Sequence, residues 1–180
     1  MEDIVVLVDK NNTPLGTASK LETHNSNTPL HRGFSVFLFN SEGKLLLQQR
    51  AKTKKTFPLV WSNSCCGHPK LDETSIDAAK RHLNHELNIT DVKLFVILPD
   101  YRYKTEMNGI WENEICPVLI GFTNQEPKIN KDEVENIKWI KWEDFLEEIQ
   151  KPNSYSAWSV EEAKLLSTDK KFLQLFQNLA

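Results

Sequence analysis

The chain has 180 residues, 39% of them hydrophobic and 26% charged, and its 22 basic and 25 acidic side chains leave a net charge of −3. This length predicts one domain over residues 1–180, and the near balance of charge argues against a nucleic-acid partner. The apolar runs are far shorter than the roughly 20 residues that span a bilayer, and three cysteines do not form a disulfide framework. We therefore expect a soluble, cytoplasmic protein that does not bind membranes.

The apolar pattern predicts a strand over residues 4–8 and a β-hairpin of strands 33–39 and 44–50, because residues 40–43 form a turn cluster that ends in glycine. Apolar residues then recur at helical spacing over residues 74–87, after several residues that favour a helix N-cap. The remaining predicted strands cover residues 92–98, 110–122 and 134–142, and the remaining predicted helices cover 143–150, 158–166 and 171–179. This order indicates an α+β fold.

Two glutamates stand two positions apart in the predicted strand 110–122. Side chains alternate between the faces of a strand, so Glu112 and Glu114 share one face, with Cα atoms roughly 6.6 Å apart. An exposed polar edge is the ordinary explanation, but Cys116 and Val118 share that face and mark it as buried. Two buried carboxylates without a cation would cost several kcal/mol each, so a metal ion is their expected partner.

Three histidines supply further candidate ligands, namely His24, His31 and His68. Each alone is more typical of an ordinary surface or core histidine. Together with the two glutamates they would give five protein ligands, a set that suits Mn²⁺, Zn²⁺ or Fe²⁺ better than Mg²⁺. The sequence does not show that these side chains converge.

A pair of adjacent cysteines precedes Gly67 and His68. A structural zinc site is disfavoured, because the chain has no Cys-x-x-Cys pair and because neighbouring side chains in an extended chain point to opposite sides. One cysteine is a candidate acid, base or nucleophile, since the following glycine allows a ligand to approach closely. The alternative is a buried thiol that serves only packing.

Three segments together resemble type I isopentenyl-diphosphate isomerases: FPLVWSNSCCGHP at residues 57–69, YRY at 101–103 and WENE at 111–114. The resemblance extends from about residue 20 to residue 158. It implies the Nudix fold, a mixed β-sheet core flanked by helices, and residues 67–89 are similar to a degenerate Nudix box. In that box His82 and His85 replace glutamates, and Asn88 replaces a glycine, which it can do because asparagine tolerates the left-handed conformation after a helix.

The resemblance also implies roles for individual residues. Cys66 and Glu114 would be the proton-transfer pair, with Tyr103 beside the glutamate. Glu86 would hold a Mg²⁺ ion bound to the substrate diphosphate. One further ion, Mn²⁺, Zn²⁺ or Mg²⁺, would be held by His24, His31, His68, Glu112 and Glu114. The implied substrate-binding residues are Lys20, Arg50, Lys54, Arg81 and Trp158.

The implied reaction is the interconversion of isopentenyl diphosphate and dimethylallyl diphosphate in isoprenoid precursor biosynthesis. It needs an acid and a base that face the same small pocket. We expect a small-molecule substrate and a monomer or weak dimer. Two alternatives stay open: a Nudix pyrophosphohydrolase acting on a nucleoside diphosphate derivative, which the lost acidic residues at positions 82 and 85 disfavour, and a non-catalytic binding module stabilised by a metal ion.

Overall fold

A computed structural model describes residues 4–152 and 155–178 of the chain. The described residues form twelve strands and five helices, which confirms the α+β class. The strands are β1 (Ile4–Val8), β2 (Pro14–Ser19), β3 (His31–Arg32), β4 (Phe34–Phe39), β5 (Lys44–Arg50), β6 (Trp61–Ser62), β7 (Cys65–Gly67), β8 (Lys93–Leu98), β9 (Arg102–Met107), β10 (Ile110–Ile115), β11 (Val118–Phe122) and β12 (Val134–Lys141). The helices are α1 (Lys20–Thr23), α2 (Ser75–Leu87), α3 (Trp142–Glu148), α4 (Ala157–Leu166) and α5 (Lys170–Gln177).

The strands form two mixed sheets. The smaller sheet has the order β2-β1-β3-β10-β9, and the larger has the order β12-β5-β4-β11-β8, with β6 paired to β5 and β7 paired to β4. The pairs β3–β10 and β4–β11 are parallel, and the other described pairs are antiparallel. β3 and β4 are separated only by Gly33, so the chain passes directly from one sheet to the other at this point.

The predicted strand 110–122 is wrong, because the chain forms two strands there, in different sheets. Pro117 has no N–H group to donate to a sheet, and the chain leaves the smaller sheet after β10 and enters the larger one as β11. The predicted placement of Glu112 and Glu114 on one buried face of β10 is confirmed, since these residues are only 6% and 5% exposed.

The predicted hairpin of β4 and β5 is present but pairs only beside its turn. The register joins Leu38 to Leu46 and Phe39 to Leu45. Further along, β4 pairs instead with β7, which brings Ser35 opposite Cys66. The hairpin therefore opens to admit β7, the strand that carries the adjacent cysteines.

The larger sheet is covered on both faces, which explains why all six residues of β4 are buried. On one face α2 packs over a cluster that includes Phe34 and Val36, and on the other face α3, α4 and α5 cover a cluster that includes Phe37 and Phe39. Each such buried side chain contributes about 1.5–3 kcal/mol of hydrophobic free energy. The two clusters therefore pack the larger sheet on both faces.

Helix α2 begins and ends where the sequence predicts. The Thr74 side chain accepts a hydrogen bond from the backbone N–H of Asp77, and Asn88 has the left-handed conformation with φ 54°. The last three predicted helices are confirmed within one or two residues, although the predicted end at Leu179 lies outside the described residues. No helix in the described part of the chain is long and apolar enough to cross a membrane.

Candidate metal centre and active site

Five side chains from separate parts of the chain converge beside the smaller sheet. Each offers one ligand atom, and all these atoms lie within 4.8 Å of one another. His24 Nε2 lies 2.8 Å from Glu112 Oε2, His68 Nε2 lies 3.0 Å from Glu114 Oε1, and His31 Nε2 lies 3.5 Å from the same Glu114 oxygen. The parallel pairing of β3 with β10 places His31 directly beside Glu114. These five residues could hold a metal ion, as the sequence predicts.

The backbone fixes the orientation of two of these imidazoles. His24 Nδ1 lies 2.7 Å from the carbonyl oxygen of Lys20, and His31 Nδ1 lies 2.9 Å from that of Pro29. A carbonyl oxygen only accepts, so Nδ1 must carry the hydrogen in both rings and Nε2 is left to bind a metal ion. His31 Nε2 is buried and makes no hydrogen bond within the described part of the chain. An unpartnered nitrogen facing two carboxylates fits a divalent cation.

The charges of the cluster also favour a cation. Burial lowers the pKa of His68 to about 4, so this imidazole is neutral near pH 7. Burial opposes ionisation of Glu114 as well, but the neighbouring imidazoles of His31 and His68 outweigh it and hold the pKa of this carboxyl well below its usual value. The cluster therefore presents a neutral imidazole and an ionised carboxylate, which are the forms that bind metals.

The adjacent cysteines point to opposite sides of β7, as expected. Cys65 belongs to the cluster under α2, and Cys66 lines a cavity of about 400 Å³. The Cys66 Sγ donates a hydrogen bond to Asn63 Oδ1 at 3.0 Å. Burial raises the pKa of the Cys66 thiol to about 12, so this group is neutral near pH 7. A neutral thiol is able to act as an acid.

Asn63 is a functional candidate that the sequence analysis missed. Its amide nitrogen donates to the carbonyl oxygens of Val36 and Cys65, each at 3.1 Å, which fixes its amide oxygen toward the site. That oxygen accepts hydrogen bonds from the Ser62 hydroxyl, the Cys66 thiol and the Trp158 indole N–H. Asn63 therefore holds the thiol and the indole ring in one arrangement. Its only sequence signal is its place between Trp61 and the cysteines.

Two aromatic rings, those of Tyr103 and Trp158, line the same cavity as the Cys66 thiol. The ring centroids of Tyr103 and Trp158 are 5.6 Å apart, and Phe57 packs edge-on against Trp158 at 5.0 Å. Phe57 has a left-handed backbone conformation with φ 48°, and the guanidinium of Arg50 donates to the carbonyl oxygens of Thr56 and Phe57. Arg50 thus stabilises the loop that presents Phe57. Burial raises the pKa of Tyr103, so its hydroxyl stays protonated.

A second group of lining residues surrounds Glu86. This carboxyl accepts hydrogen bonds from His82 Nδ1 at 2.9 Å and from the Gln48 amide at 3.3 Å. Burial opposes ionisation of Glu86, but His82 outweighs it and lowers the pKa of the carboxyl. The ammonium group of Lys54 forms an ion pair with Glu133 in the same cavity. This region combines anionic and basic side chains, which suits a metal-bound diphosphate.

The predicted arginine of α2 is held at the same cavity. Arg81 makes a bidentate contact with Glu73, at 2.7 and 2.6 Å, and donates to the carbonyl oxygen of the ligand candidate His68 at 3.1 Å. Most of the predicted site residues line this cavity: Lys20, Arg50, Lys54, Cys66, His68, Arg81, Glu86, Tyr103, Glu112, Glu114 and Trp158. The other two, His24 and His31, belong to the group of five candidate metal ligands.

Comparisons with known proteins agree with this arrangement. The NUDIX domain model matches residues 29–159. An isopentenyl-diphosphate Delta-isomerase of Saccharopolyspora erythraea is 45% identical over 150 residues, which are 83% of this chain and 77% of the relative. An enzyme of the same name from Shigella boydii serotype 4 is 43% identical over 161 residues, 88% of each chain.

Solved structures show the same fold. A Deinococcus radiodurans protein superposes with a TM-score of 0.72 at 18% identity, covering 91% of this chain and 98% of that protein. At this identity the likeness concerns the fold alone. The two isomerases are far more similar in sequence to this chain than the Deinococcus protein is. The chain therefore belongs to the isopentenyl-diphosphate Delta-isomerase family, within the NUDIX fold.

Proposed function

We propose that this enzyme interconverts isopentenyl diphosphate and dimethylallyl diphosphate by moving a proton on and off the carbon skeleton. The observation that carries the proposal is that Cys66 and Glu114, a neutral thiol and an ionised carboxyl, line one cavity of about 400 Å³. The family relationship supports the same reaction. One acid and one base that face a shared pocket are what this isomerisation requires.

The reaction needs two proton transfers on opposite sides of a transient tertiary cation. One member of the pair protonates the terminal methylene carbon of isopentenyl diphosphate, and the other removes a proton from the carbon next to the diphosphate-bearing one. Trp158 and Tyr103 offer aromatic faces to the positive charge, and such contacts are worth about 0.5–2 kcal/mol when water is excluded. Asn63 keeps the thiol and Trp158 aligned for this task.

We assign the cluster of three histidines and two glutamates to one divalent ion, Mn²⁺, Zn²⁺ or Mg²⁺. The unpartnered His31 Nε2 supports a divalent ion at this cluster, and the nitrogen-rich donor set suits Mn²⁺ or Zn²⁺ better than Mg²⁺. Glu114 would be one ligand of such an ion, and the Lewis acidity that a bound ion would supply would fix the orientation and the proton affinity of this carboxyl. We assign Glu86 to a Mg²⁺ ion that meets the substrate diphosphate, and Lys20, Arg50, Lys54 and Arg81 to binding of that diphosphate.

We further infer that residues 1–180 act as a single domain and as a monomer or weak dimer, because both sheets of one chain supply the site. A small-molecule substrate in the cytoplasm, without nucleic acid or membrane, is consistent with the net charge and with three free thiols. Light scattering at assay concentrations tests the oligomeric state.

The assay that tests the function supplies isopentenyl diphosphate with Mg²⁺ and Mn²⁺ and identifies the product. We expect dimethylallyl diphosphate, and we expect chelation of the metals to abolish its formation. Release of phosphate or pyrophosphate without isomer would favour a hydrolase. Binding without any product would favour a non-catalytic module.

A further inference from the structure

Three buried serines connect the strand that precedes Asn63 to the helix that carries Trp158. Ser62 lies on β6, Ser156 stands directly before α4, and Ser159 lies in the first turn of that helix. They are 1%, 2% and 0% exposed. The Ser62 Oγ lies 3.0 Å from the Ser156 Oγ, which lies 2.7 Å from the Ser159 Oγ. A buried network of this kind favours one arrangement of the elements that it joins.

The donors and acceptors give this network one direction. The amide nitrogen of Asn63 donates to two backbone carbonyl groups, so its Oδ1 is the atom that faces the Ser62 Oγ at 2.7 Å. That oxygen only accepts, so the single hydrogen of the Ser62 hydroxyl points to it. The Ser62 Oγ then accepts from Ser156. The Ser156 Oγ in turn accepts from Ser159, whose hydrogen is shared with the Ser156 carbonyl oxygen. The hydrogen bonds therefore run from Ser159 through Ser156 and Ser62 to Asn63.

Ser156 occupies the N-cap position of α4, but its side chain does not cap the helix. A serine at this position usually accepts a hydrogen bond from a backbone N–H group of the first turn. Here the hydroxyl is turned to β6 instead, and the Ser156 N–H donates to the carbonyl oxygen of Trp61 on the same strand at 2.9 Å. One backbone bond and one side-chain bond thus attach the start of α4 to β6, two residues before Trp158.

The network ends at two side chains that line the cavity. The Asn63 Oδ1 also accepts from the Cys66 thiol at 3.0 Å and from the Trp158 indole N–H at 3.2 Å. Cys66 and Trp158 line the cavity, whereas Ser62 and Ser156 are not among its lining residues in the described part of the chain. An effect of these serines on the reaction must therefore pass through Asn63 and the start of α4.

We propose that Ser62 and Ser156 are positioning residues that set the Trp158 ring relative to the Cys66 thiol. This placement matters because the ring offers its face to the cation that proton transfer creates in the same cavity. The role rests on the proposed isomerase function, since the placement affects turnover only if both groups take part in it. The alternative is a polar part of the core that contributes to stability alone.

Removing one hydroxyl separates these two roles, and the chain offers a matched control. Ser62→Ala removes the central hydroxyl of the network, and we expect kcat for dimethylallyl diphosphate formation to fall roughly tenfold while KM changes less than about twofold. Ser64→Ala is the control, because Ser64 is 0% exposed and also makes two hydrogen bonds, but with the backbone of Leu38 and Leu46 in the larger sheet. The control variant should lose stability and retain its kcat. Equal loss of kcat in the two variants would overturn the proposal.

A second substitution acts at the other end of the same hydrogen bond. Ser156→Ala keeps the bond from Ser62 to Asn63 but releases the start of α4, so kcat should fall here as well. The double variant should lose no more kcat than Ser62→Ala, because both changes break the same connection. Losses that simply add would contradict the proposal. If Ser62→Ala did not fold, Ser156→Ala would be compared with Ser64→Ala, and a wild-type kcat in Ser156→Ala would overturn the proposal.

The indole N–H signal of Trp158 tests the placement without relying on activity. The chain has five tryptophans, so ¹⁵N-tryptophan labelling gives a small set of indole signals in NMR spectra, and the signal lost in Trp158→Phe is that of Trp158. We expect Ser62→Ala and Ser156→Ala to shift this signal and Ser64→Ala to leave it in place. An unmoved signal in Ser62→Ala would overturn the proposal. If the wild-type protein formed no dimethylallyl diphosphate, the proposed function would fail, which is a different result from an unmoved signal.

Discussion

The backbone of Gly33 lies directly against the carboxyl group of Glu114. A Cβ atom at position 33 would stand 1.9 Å from Glu114 Oε2 and 2.6 Å from its Cδ, far inside contact distance. Gly33 also links β3 to β4, and its N–H donates to the carbonyl oxygen of Ile115 at 2.9 Å. The backbone has little freedom to move away, so the absence of a side chain is what admits the glutamate.

Gly33→Ala should therefore displace Glu114 and weaken metal binding. We expect metal affinity to fall by about 10–100-fold, the range typical of disturbed ligand orientation, with a parallel loss of turnover. Calorimetric titration with Mn²⁺ measures the affinity. Gly16→Ala in β2 is the control, because nothing lies within 4 Å of its Cβ position and only its positive φ opposes the change. Equal metal affinity in Gly33→Ala and wild type would refute this packing argument.

Replacing Glu112 should mainly weaken metal binding, whereas replacing Glu114 should also stop proton transfer. Glu112→Gln should lower metal affinity at least as much as His24→Gln, because it removes an anionic ligand from a buried cationic site. Glu114→Gln should reduce turnover more completely than it reduces metal content, since Glu114 is assigned both to the metal and to proton transfer. Metal analysis of purified variants, alongside product formation, checks both statements. Full metal content together with full turnover in Glu112→Gln would contradict the assigned centre.

Local pattern predicts some parts of this site and misses others for physical reasons. The alternation of a strand places Glu112 and Glu114 together, and it holds because both lie before the break at Pro117. Strand β9 was missed because its side chains alternate between exposed and partly buried at a sheet edge, with few apolar residues to reveal a buried face. The residue types made the three histidines candidate ligands, but only the resemblance to a known family implied that residues so far apart along the chain bind one ion.

Asn63 and Glu162 show what such patterns leave out. Asn63 matters because three donors meet at its amide oxygen, and Glu162 is a fully buried carboxyl with no hydrogen-bond partner in the described part of the chain. Neither has a charge pattern or periodic neighbour that marks it as special. Only the packing of α4 against β9 and the pairing of β7 with β4 bring these partners together.

His82 should affect substrate binding through Glu86. Its ring fits against Gly67, where a Cβ would lie 2.6–2.8 Å from the ring atoms, and its Nδ1 holds the Glu86 carboxyl at 2.9 Å. His82→Ala should raise KM for isopentenyl diphosphate by roughly tenfold, most clearly at low Mg²⁺, because Glu86 loses a charge-assisted hydrogen bond. His85→Ala, an exposed histidine on the same helix, should change KM by less than about twofold. The test measures KM for isopentenyl diphosphate at several Mg²⁺ concentrations in both variants. If the two variants gave the same curve, His82 would have no special role in substrate binding.

The ion pair of Glu73 and Arg81 should make stability depend on pH. The Arg81 guanidinium lowers the pKa of Glu73 to about 2 in the folded protein, whereas an unfolded glutamate titrates near about 4.3. The ion pair therefore contributes fully to the free energy of unfolding at pH values above the pKa of the unfolded glutamate. This contribution is lost as the pH falls through about 2. Because the pair is partly exposed, we expect Glu73→Gln to cost at most about 1 kcal/mol at pH 7. Thermal unfolding of both proteins should give Tm values that converge as the pH falls from about 4 to 2, and a constant difference would exclude this source of stability.

The central claim, that Cys66 and Glu114 exchange protons with one substrate in one cavity, is tested most directly by isomerisation in D₂O. We compare wild type, Cys66→Ala and Cys65→Ala, because the two adjacent thiols face opposite sides of β7 and only Cys66 lines the cavity. The account predicts that wild type and Cys65→Ala form dimethylallyl diphosphate with solvent deuterium in a methyl group, and that Cys66→Ala loses almost all turnover. Equal loss in both variants, or a product without deuterium, would contradict it.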